Sequence, residues 1–302
     1  NKVKVPGSGG LIVVMSFVLG VLVYIAIRTF FMQGNGYAIQ IFALLGVVLI
    51  LAIVGLTDDL LGWRHGGLSA QFRLFLIIFA SIPLIVINAG THEMTFLIFG
   101  VVNLGILYPL LMVPLGITGA TSAYNFLAGF NGLETGQGII ILSFLSFVSY
   151  ITGSSWLAIL GLCMVASLLV FYYYNKYPAK VFPGDTLTYS IGALIASMAI
   201  LGNFEKIAVA IFALYILETF LKLRGGLKKQ SFAKPNIDGS LEMPYNKIYG
   251  LTHLSLFILK KFKKKVYEKD IVYFIFILQI ILCLAALIVF HEGLFLRATM
   301  LA

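Results

Sequence analysis

Residues 271–290 read IVYFIFILQIILCLAALIVF, a stretch of 20 residues without a charged side chain. An α-helix needs about 20 apolar residues to cross about 30 Å of hydrocarbon, so this stretch predicts a membrane-spanning helix. A strand of a membrane β-barrel would alternate in polarity over about ten residues, and this stretch does not alternate. We therefore expect an all-α polytopic membrane protein.

Similar runs recur along the whole chain and predict about nine membrane spans. They lie near 11–32, 38–57, 70–89, 104–124, 134–152, 154–174, 186–203, 206–222 and 270–290. The chain is 60% hydrophobic and 11% charged, with a mean hydropathy of +1.01, which is too apolar for one soluble core. We expect residues 1–302 to form a single membrane-embedded domain. Cys163 and Cys283 fall inside apolar runs, so no disulfide is expected.

The basic residues divide unequally between the two ends of these helices. Eighteen of the 21 fall at one end, and only Arg28, Lys206 and Arg297 fall at the other. Because cytoplasmic loops carry an excess of lysine and arginine, the basic end predicts the cytoplasmic face. This asymmetry accounts for the net charge of +9. Attraction to anionic lipid and phosphate is a second interpretation, and nucleic acid is not an expected partner.

The first polar loop at the basic end is GLTDDLLGWRHGGLSAQFR, residues 55–73, where Asp58 and Asp59 end a predicted span. Adjacent carboxylates repel unless a cation lies between them. A magnesium ion with phosphates, or a general base, would use such a pair. The other interpretation is that both are ordinary caps of a helix or turn.

The second polar loop is TSAYNFLAGFNGLETGQG, residues 121–138. Asn125, Asn131 and Glu134 offer oxygen ligands or hydrogen bonds to a nucleobase, and Gly129 and Gly132 allow a ligand to approach the backbone. A glycine-rich connection between two packed helices would explain the same residues without a ligand.

The third polar loop is NKYPAKVFPGDTLTYSIG, residues 175–192. Pro183 and Gly184 predict a sharp turn, after which Asp185 would cap a helix that begins at Thr186. The ring of Phe182 could stack on a nucleobase, although an interfacial aromatic anchor would look the same.

Residues 223–269 form a long cytoplasmic segment in this topology. Asp238-Gly239 predicts the turn of a hairpin, and residues 247–266 predict a basic amphipathic helix on an anionic membrane surface. Lysines and an arginine near the preceding helix end are better candidates for phosphate contacts; these are Lys222, Arg224, Lys228 and Lys229.

The chain resembles the polyprenyl-phosphate N-acetylhexosamine-1-phosphate transferases, which are glycosyltransferases of the family 4 type. Four motifs together carry this resemblance: GLTDDLLGWR, NFLAGFNGLETGQ, KVFPGDTLTYSIG and GSLEMPYNK. The resemblance is to the archaeal and eukaryotic branch that uses UDP-GlcNAc and dolichyl phosphate. It implies a ten-helix architecture whose first helix is absent here, because this sequence begins at the loop that normally follows that helix.

The resemblance implies a role for each polar loop. Asn125 and Asp185 would hold Mg²⁺, with Mn²⁺ as the alternative ion, and Asp58 and Asp59 would be the essential acidic pair near the lipid phosphate. Phe182 would stack on uracil.

The rest of the uridine pocket would come from Gly129, Asn131 and Glu134.

Three positions depart from the family pattern. Arg73 stands where the family has a lysine, and Ser122 where it has an asparagine. The basic or histidine-rich triplet before the hairpin reads Lys229-Gln230-Ser231, which puts the sugar contacts in question.

The resemblance predicts an enzyme that transfers a sugar-1-phosphate, most simply GlcNAc-1-phosphate, from a UDP-sugar to polyprenyl or dolichyl phosphate and releases UMP. Arg73 and Lys229 would stabilise phosphoryl charge. A transporter or flippase of lipid-linked sugars and an inactive family member are the alternatives. The sequence leaves open whether the chain forms a homodimer.

Overall fold

The computed structural model describes residues 5–32, 34, 36–96, 100–291 and 294. The helices are α1 Gly10–Phe30, α2 Ala38–His65, α3 Ala70–Ala80, α4 Ile82–Val86, α5 Val113–Phe126, α6 Leu133–Ile151, α7 Ser155–Asn175, α8 Gly184–Gly202, α9 Glu205–Ile211, α10 Ala213–Arg224, α11 Leu251–Leu259 and α12 Glu268–Val289. Two antiparallel strand pairs join them, β1 Glu93–Phe96 with β2 Gly100–Asn103, and β3 Lys234–Pro235 with β4 Leu241–Glu242.

Long apolar helices dominate the fold, as the sequence predicts. Within the described ranges, six helices are long and apolar enough to cross a membrane: α1, α2, α6, α7, α8 and α12. This confirms the prediction of an all-α polytopic membrane protein. The pair β1–β2 was not anticipated.

The other three predicted spans are each built from two shorter helical pieces. Span 70–89 divides into α3 and α4 at Ser81, and Pro83 in the first turn of the second piece has no backbone N–H to donate. Span 206–222 divides into α9 and α10 at Phe212. Span 104–124 starts with a π-helical turn, Tyr108–Met112, that leads into α5. The total of nine spans therefore stays a prediction.

Helix α8 lies at the centre of the molecule, and almost all its residues are buried. Small residues let its neighbours approach closely, as is common between membrane helices. A Cβ on Gly55 of α2 would collide with the backbone carbonyl of Asp185, and a Cβ on Gly192 would lie 2.6 Å from the Cα of Thr121 in α5. The polar ends of α2 and α5 therefore meet the start of α8.

The segment between α10 and α12 confirms one prediction and corrects another. The hairpin β3–β4 turns at Gly239, whose φ is +79°. The amphipathic helix predicted over 247–266 is wrong, because the helix is only α11. The basic run after it is not helical, since Val266 is buried and its carbonyl accepts the backbone N–H of Leu241 at 2.8 Å.

The far end of the bundle carries few cations. Arg28 lies in the last turn of α1, and Lys206 lies near the start of α9, while Arg297 is outside the described residues. Both cysteines are free, as predicted.

Candidate active site

A cavity of about 610 Å³ opens where the polar loops meet. It contains six of the ten predicted site residues: Asn125, Gly129, Glu134, Phe182, Asp185 and Lys229. Asp58, Asp59, Arg73 and Asn131 are not among its lining residues. The loops that the sequence singled out separately thus form one site, and the other four predicted residues lie outside the lining of its cavity.

The loop before α8 is held by the segment before α1. Phe182 donates its backbone N–H to the carbonyl of Pro6 at 2.8 Å, and Gly9 donates to the carbonyl of Phe182 at 2.9 Å. Gly10 donates to the carbonyl of Pro183 at 2.9 Å. This fixes the backbone of Phe182 while its ring stays 40% exposed at the cavity. Sequence reasoning gave the segment no such role, although its run PGSGG was a signal for close backbone contact.

Asp185 differs from its predicted position in one respect. The N-cap is Pro183 and the helix begins at Gly184, so Asp185 lies in the first turn of α8 and its side chain does not cap the helix. A carboxylate in a first helical turn is stabilised by the helix dipole. The Asp185 side chain is 28% exposed and lines the cavity, where it is available to a ligand.

The capping role belongs to Asp59, which comes from α2. Its carboxylate accepts the backbone N–H of Asp185 at 2.7 Å, the backbone N–H of Thr186 at 3.1 Å and the hydroxyl of Thr186 at 2.7 Å. Those N–H groups would otherwise lack partners at the helix start. Asp59 therefore fixes the backbone that carries Asp185.

Asp58 is committed to the protein as well. It is 7% exposed, accepts the backbone N–H of Leu68 at 2.5 Å, and pairs with Arg73 at 3.0 Å. The same Arg73 nitrogen lies 4.0 Å from Asp185. Asp58 and Arg73 thus form a charged pair next to Asp185.

The glycine-rich loop contributes a buried acid. Glu134 is 5% exposed, and one carboxylate oxygen accepts the backbone N–H of Gly129 at 2.5 Å. Its other oxygen is buried and accepts no hydrogen bond from the part of the chain that the structure describes. Asn131 does not line the cavity, and its backbone N–H donates to Glu268 of α12 at 2.6 Å.

Another part of the cavity lining, which we call the lysine wall, is cationic. It includes Lys222, Lys228 and Lys229, whereas Arg224 is exposed and does not line it. Lys222 lies 3.9 Å from the fully buried Glu218, and the ammonium of Lys229 lies 4.9 Å from the ring centre of Tyr245. Sequence reasoning missed Thr188, Leu227, Gln230 and Phe232 as further lining residues.

The oxygen donors suit a divalent cation that is shared with a ligand. No cluster of three acidic, histidine or cysteine side chains fit for a metal occurs in the described ranges. Asn125 and Asp185 nevertheless line the cavity together. Magnesium commonly takes one or two carboxylates and completes its shell with water and substrate phosphates, so this pair fits that ion.

Comparison with known proteins gives a consistent result. A model of glycosyl transferase family 4 matches residues 41–203. A protein of Saccharolobus solfataricus, provisionally named a UDP-N-acetylglucosamine–dolichyl-phosphate N-acetylglucosaminephosphotransferase, is 38% identical over 74% of this chain and 67% of its own length. A Sulfolobus acidocaldarius protein with the same provisional name is 33% identical over 95% of this chain and 84% of its own. A phospho-N-acetylmuramoyl-pentapeptide-transferase of Clostridium botulinum is 30% identical over 72% and 66%.

Proposed function

The chain belongs to glycosyl transferase family 4, and from this we propose that it transfers GlcNAc-1-phosphate from UDP-GlcNAc to dolichyl or a related polyprenyl phosphate. It is an integral membrane enzyme that transfers a sugar-1-phosphate to a lipid phosphate. The choice of GlcNAc follows the two archaeal relatives. The basic end of the bundle supports a cytoplasmic active site.

One observation carries this proposal: a single cavity is lined by two oxygen donors and three lysines. The oxygen donors are Asn125 and Asp185, and the lysines are Lys222, Lys228 and Lys229. A nucleotide-sugar presents a diphosphate, which lysines contact directly and carboxylates contact only through a cation. The cavity therefore fits a diphosphate that contacts both sets of side chains.

The uridine would occupy the end of the cavity near Phe182 and Glu134. The exposed ring of Phe182 offers a stacking surface for uracil. The unpartnered buried oxygen of Glu134 would accept an N–H of the base, because a buried acceptor without a partner costs about 1–3 kcal/mol. A Cβ on Gly129 would collide with the ring of Phe232, so glycine lets this loop lie against that ring.

The reaction joins the acceptor phosphate to the donor. An oxygen of the lipid phosphate attacks the β-phosphorus, and the bond from that phosphorus to the bridging oxygen breaks, so that UMP leaves. Lys222, Lys228 and Lys229 would neutralise phosphate charge as the bond breaks. Asn125 and Asp185 would hold Mg²⁺, which supplies a Lewis acid for the diphosphate. Mn²⁺ has the same oxygen preference.

Asp58, Asp59 and Arg73 take positioning roles in this proposal. A phosphate monoester is already largely anionic at neutral pH, so the acceptor needs no strong base. Asp59 fixes the start of α8 and Asp58 orients Arg73. Arg73 lies 4.0 Å from Asp185 and sets the charge next to it.

The transporter alternative has little left to support it. Glu218, the carboxylate nearest a helix interior in the sequence, accepts the backbone N–H of Leu251 and so serves to hold α11. A homodimer stays a proposal, to be tested by the mass of the purified protein.

Release of UMP from UDP-GlcNAc tests the proposed function. We expect release that requires both polyprenyl phosphate and magnesium and stops in EDTA. Asp185→Asn should reduce it at least about 100-fold, since one metal ligand is weakened. Glu93→Gln is the matched control, because Glu93 is an exposed acid of β1 away from the cavity.

No release with any UDP-sugar from folded protein that binds no uridine nucleotide would contradict the proposal and favour the inactive family member. Near-normal release by Asp185→Asn would remove the metal assignment.

A further inference from the structure

The hairpin β3–β4 and the run Lys260–Lys265 form one surface, which we call the basic hairpin surface. Two ion pairs join its halves: Lys260 lies 3.1 Å from Glu242, and Lys265 lies 2.7 Å from Asp238. The hydrogen bond from Lys265 holds the pKa of the Asp238 carboxyl below its ordinary value, so the pair stays charged near neutral pH. The hairpin and the lysine run are therefore ordered together.

This surface is fastened next to a membrane-spanning helix. Val266, one residue beyond the lysine run, is fully buried and accepts the backbone N–H of Leu241. Lys263 pairs with Asp270 in the first turn of α12 at 2.9 Å. Since α12 begins at Glu268 and is apolar enough to span a bilayer, the surface lies within a few residues of the membrane boundary.

Two large apolar side chains project from this surface. Ile237, at the hairpin turn, is fully exposed, and Phe262, in the middle of the lysine run, is 82% exposed. A single exposed apolar residue is ordinary on a protein surface. Two on one small basic unit, fixed beside a membrane helix, form the combination of apolar and cationic groups found in proteins that bind the membrane interface.

The charge of this region exceeds what its own acids neutralise. Residues 225–270 contain ten lysines and four acidic residues. Lys261 contacts the ring of Phe257, with 4.9 Å from its ammonium to the ring centre, and it forms no ion pair with a described residue. Lys264 is exposed and likewise unpaired within the described part of the chain. These cations are free to contact an anionic surface.

We propose that the basic hairpin surface docks on anionic headgroups of the bilayer that the protein spans, with Ile237 and Phe262 entering the interface. A polybasic segment beside a membrane span is attracted to an anionic leaflet, and the apolar side chains add a second contact. A soluble acidic protein would match the charge but would leave both apolar side chains in water. The docking would orient the segment that leads from the lysine wall of the cavity to α12.

Spin labels at the two apolar positions test this docking. In a chain with Cys163 and Cys283 replaced by alanine, Ile237→Cys and Phe262→Cys would each carry a nitroxide, and Asn246→Cys would be the matched exposed control from the same segment. In vesicles that contain phosphatidylglycerol, we expect the first two labels to be accessible to oxygen and protected from a water-soluble nickel chelate. The control label should be accessible to the chelate.

The lysines are tested by Lys261→Gln with Lys264→Gln. Each lysine near an anionic surface favours attachment about fivefold, so the double change should weaken docking about 30-fold and expose both labels to the chelate. Release of UMP in detergent should stay unchanged, because neither lysine lines the cavity. Chelate access at both apolar positions in anionic vesicles would overturn the proposal. Protection that is equal in pure phosphatidylcholine, or unaffected by the double change, would overturn its electrostatic part.

Discussion

Helices α8 and α11 start in a similar way but support different parts of the cavity lining. At each start, a carboxylate from a different helix accepts a backbone hydrogen bond: Asp59 of α2 accepts two N–H groups of α8, and Glu218 of α10 accepts one N–H group of α11. Asp59 fixes the backbone of the candidate metal ligand Asp185. Glu218 lies beside Lys222 and also accepts the hydroxyl of Ser231 at 3.4 Å, so it fixes the lysine wall.

The two acids differ in the charges that surround them. Asp59 accepts three hydrogen bonds next to two other carboxylates, whereas the fully buried Glu218 has the ammonium of Lys222 as a neighbour. The family model covers residues 41–203, which include Asp59 but not Glu218. Family membership therefore supports the α8 side of the cavity, and the lysine wall must be tested on its own.

The largest difference should come from alanine at the two glycines beside the caps. Gly184 has φ +72°, and a Cβ there would collide with the Asp59 carboxylate. Alanine with a φ in this left-handed region costs about 1–2 kcal/mol from the backbone alone. Gly250 is extended, and its Cβ would lie 3.3 Å from Glu218. We expect Gly184→Ala to abolish UMP release and lower the unfolding temperature, and Gly250→Ala to do little. Equal effects of the two substitutions would show that the two helix starts do not differ in how they accommodate a side chain.

The next effect concerns Asp59 itself. Asp59→Ala would leave the N–H groups at the start of α8 without their acceptor, which costs about 1–2 kcal/mol or more, and should reduce kcat about 100-fold by displacing Asp185. Asp59→Asn keeps one acceptor oxygen and should recover most of kcat. Rates of UMP release at saturating donor measure this. An Asn variant as inactive as the Ala variant would mean that Asp59 acts through its charge.

A smaller effect is expected at the other cap. Glu218→Gln keeps an acceptor for Leu251 but removes the negative charge beside Lys222. Without that charge, the ammonium of Lys222 is no longer held at its place in the cavity lining. We expect the KM for UDP-GlcNAc to rise about tenfold, the worth of one charge-assisted contact, while kcat changes little. A fall in kcat with an unchanged KM would show that Glu218 is not linked to donor binding.

The smallest effects should come from the two exposed lysines of the cavity lining. Lys228→Gln and Lys229→Gln should each raise the donor KM about fivefold or less, because exposed charges contribute at most about 1 kcal/mol, and the difference should shrink in high salt. Lys247→Gln is the matched control, since Lys247 is exposed and lies outside the cavity. A control as impaired as the other two would show that only net charge matters.

Local sequence patterns predicted the parts of the molecule that local physics determines. Apolar runs gave the helices, Asp238-Gly239 gave the hairpin turn, and the polar loops gave Asn125 and Asp185 in one cavity. The basic amphipathic helix was predicted from the same kind of pattern and was wrong. Its last apolar position, Val266, packs beside the hairpin and not along a helix face.

Local sequence patterns did not predict contacts between residues that are far apart along the chain. Asp59 and Asp185 are separated by 126 residues along the chain, and no spacing rule indicates that one carboxylate holds the backbone of the other. The same limit applies to Asn131, whose backbone binds Glu268. These contacts depend on how closely the helices approach, and small residues such as Gly55 set that distance.

The hydrogen bonds between the segment before α1 and the loop before α8 make that segment a mechanical part of the cavity. Three backbone hydrogen bonds connect Pro6, Gly9 and Gly10 to Phe182 and Pro183. A load on this segment, such as a rigid fusion partner joined directly ahead of Pro6, would pull on the loop that presents the Phe182 ring. A flexible spacer should relieve it, so the stiffness of whatever is joined ahead of Pro6 is expected to alter nucleotide affinity without any change of sequence in the cavity.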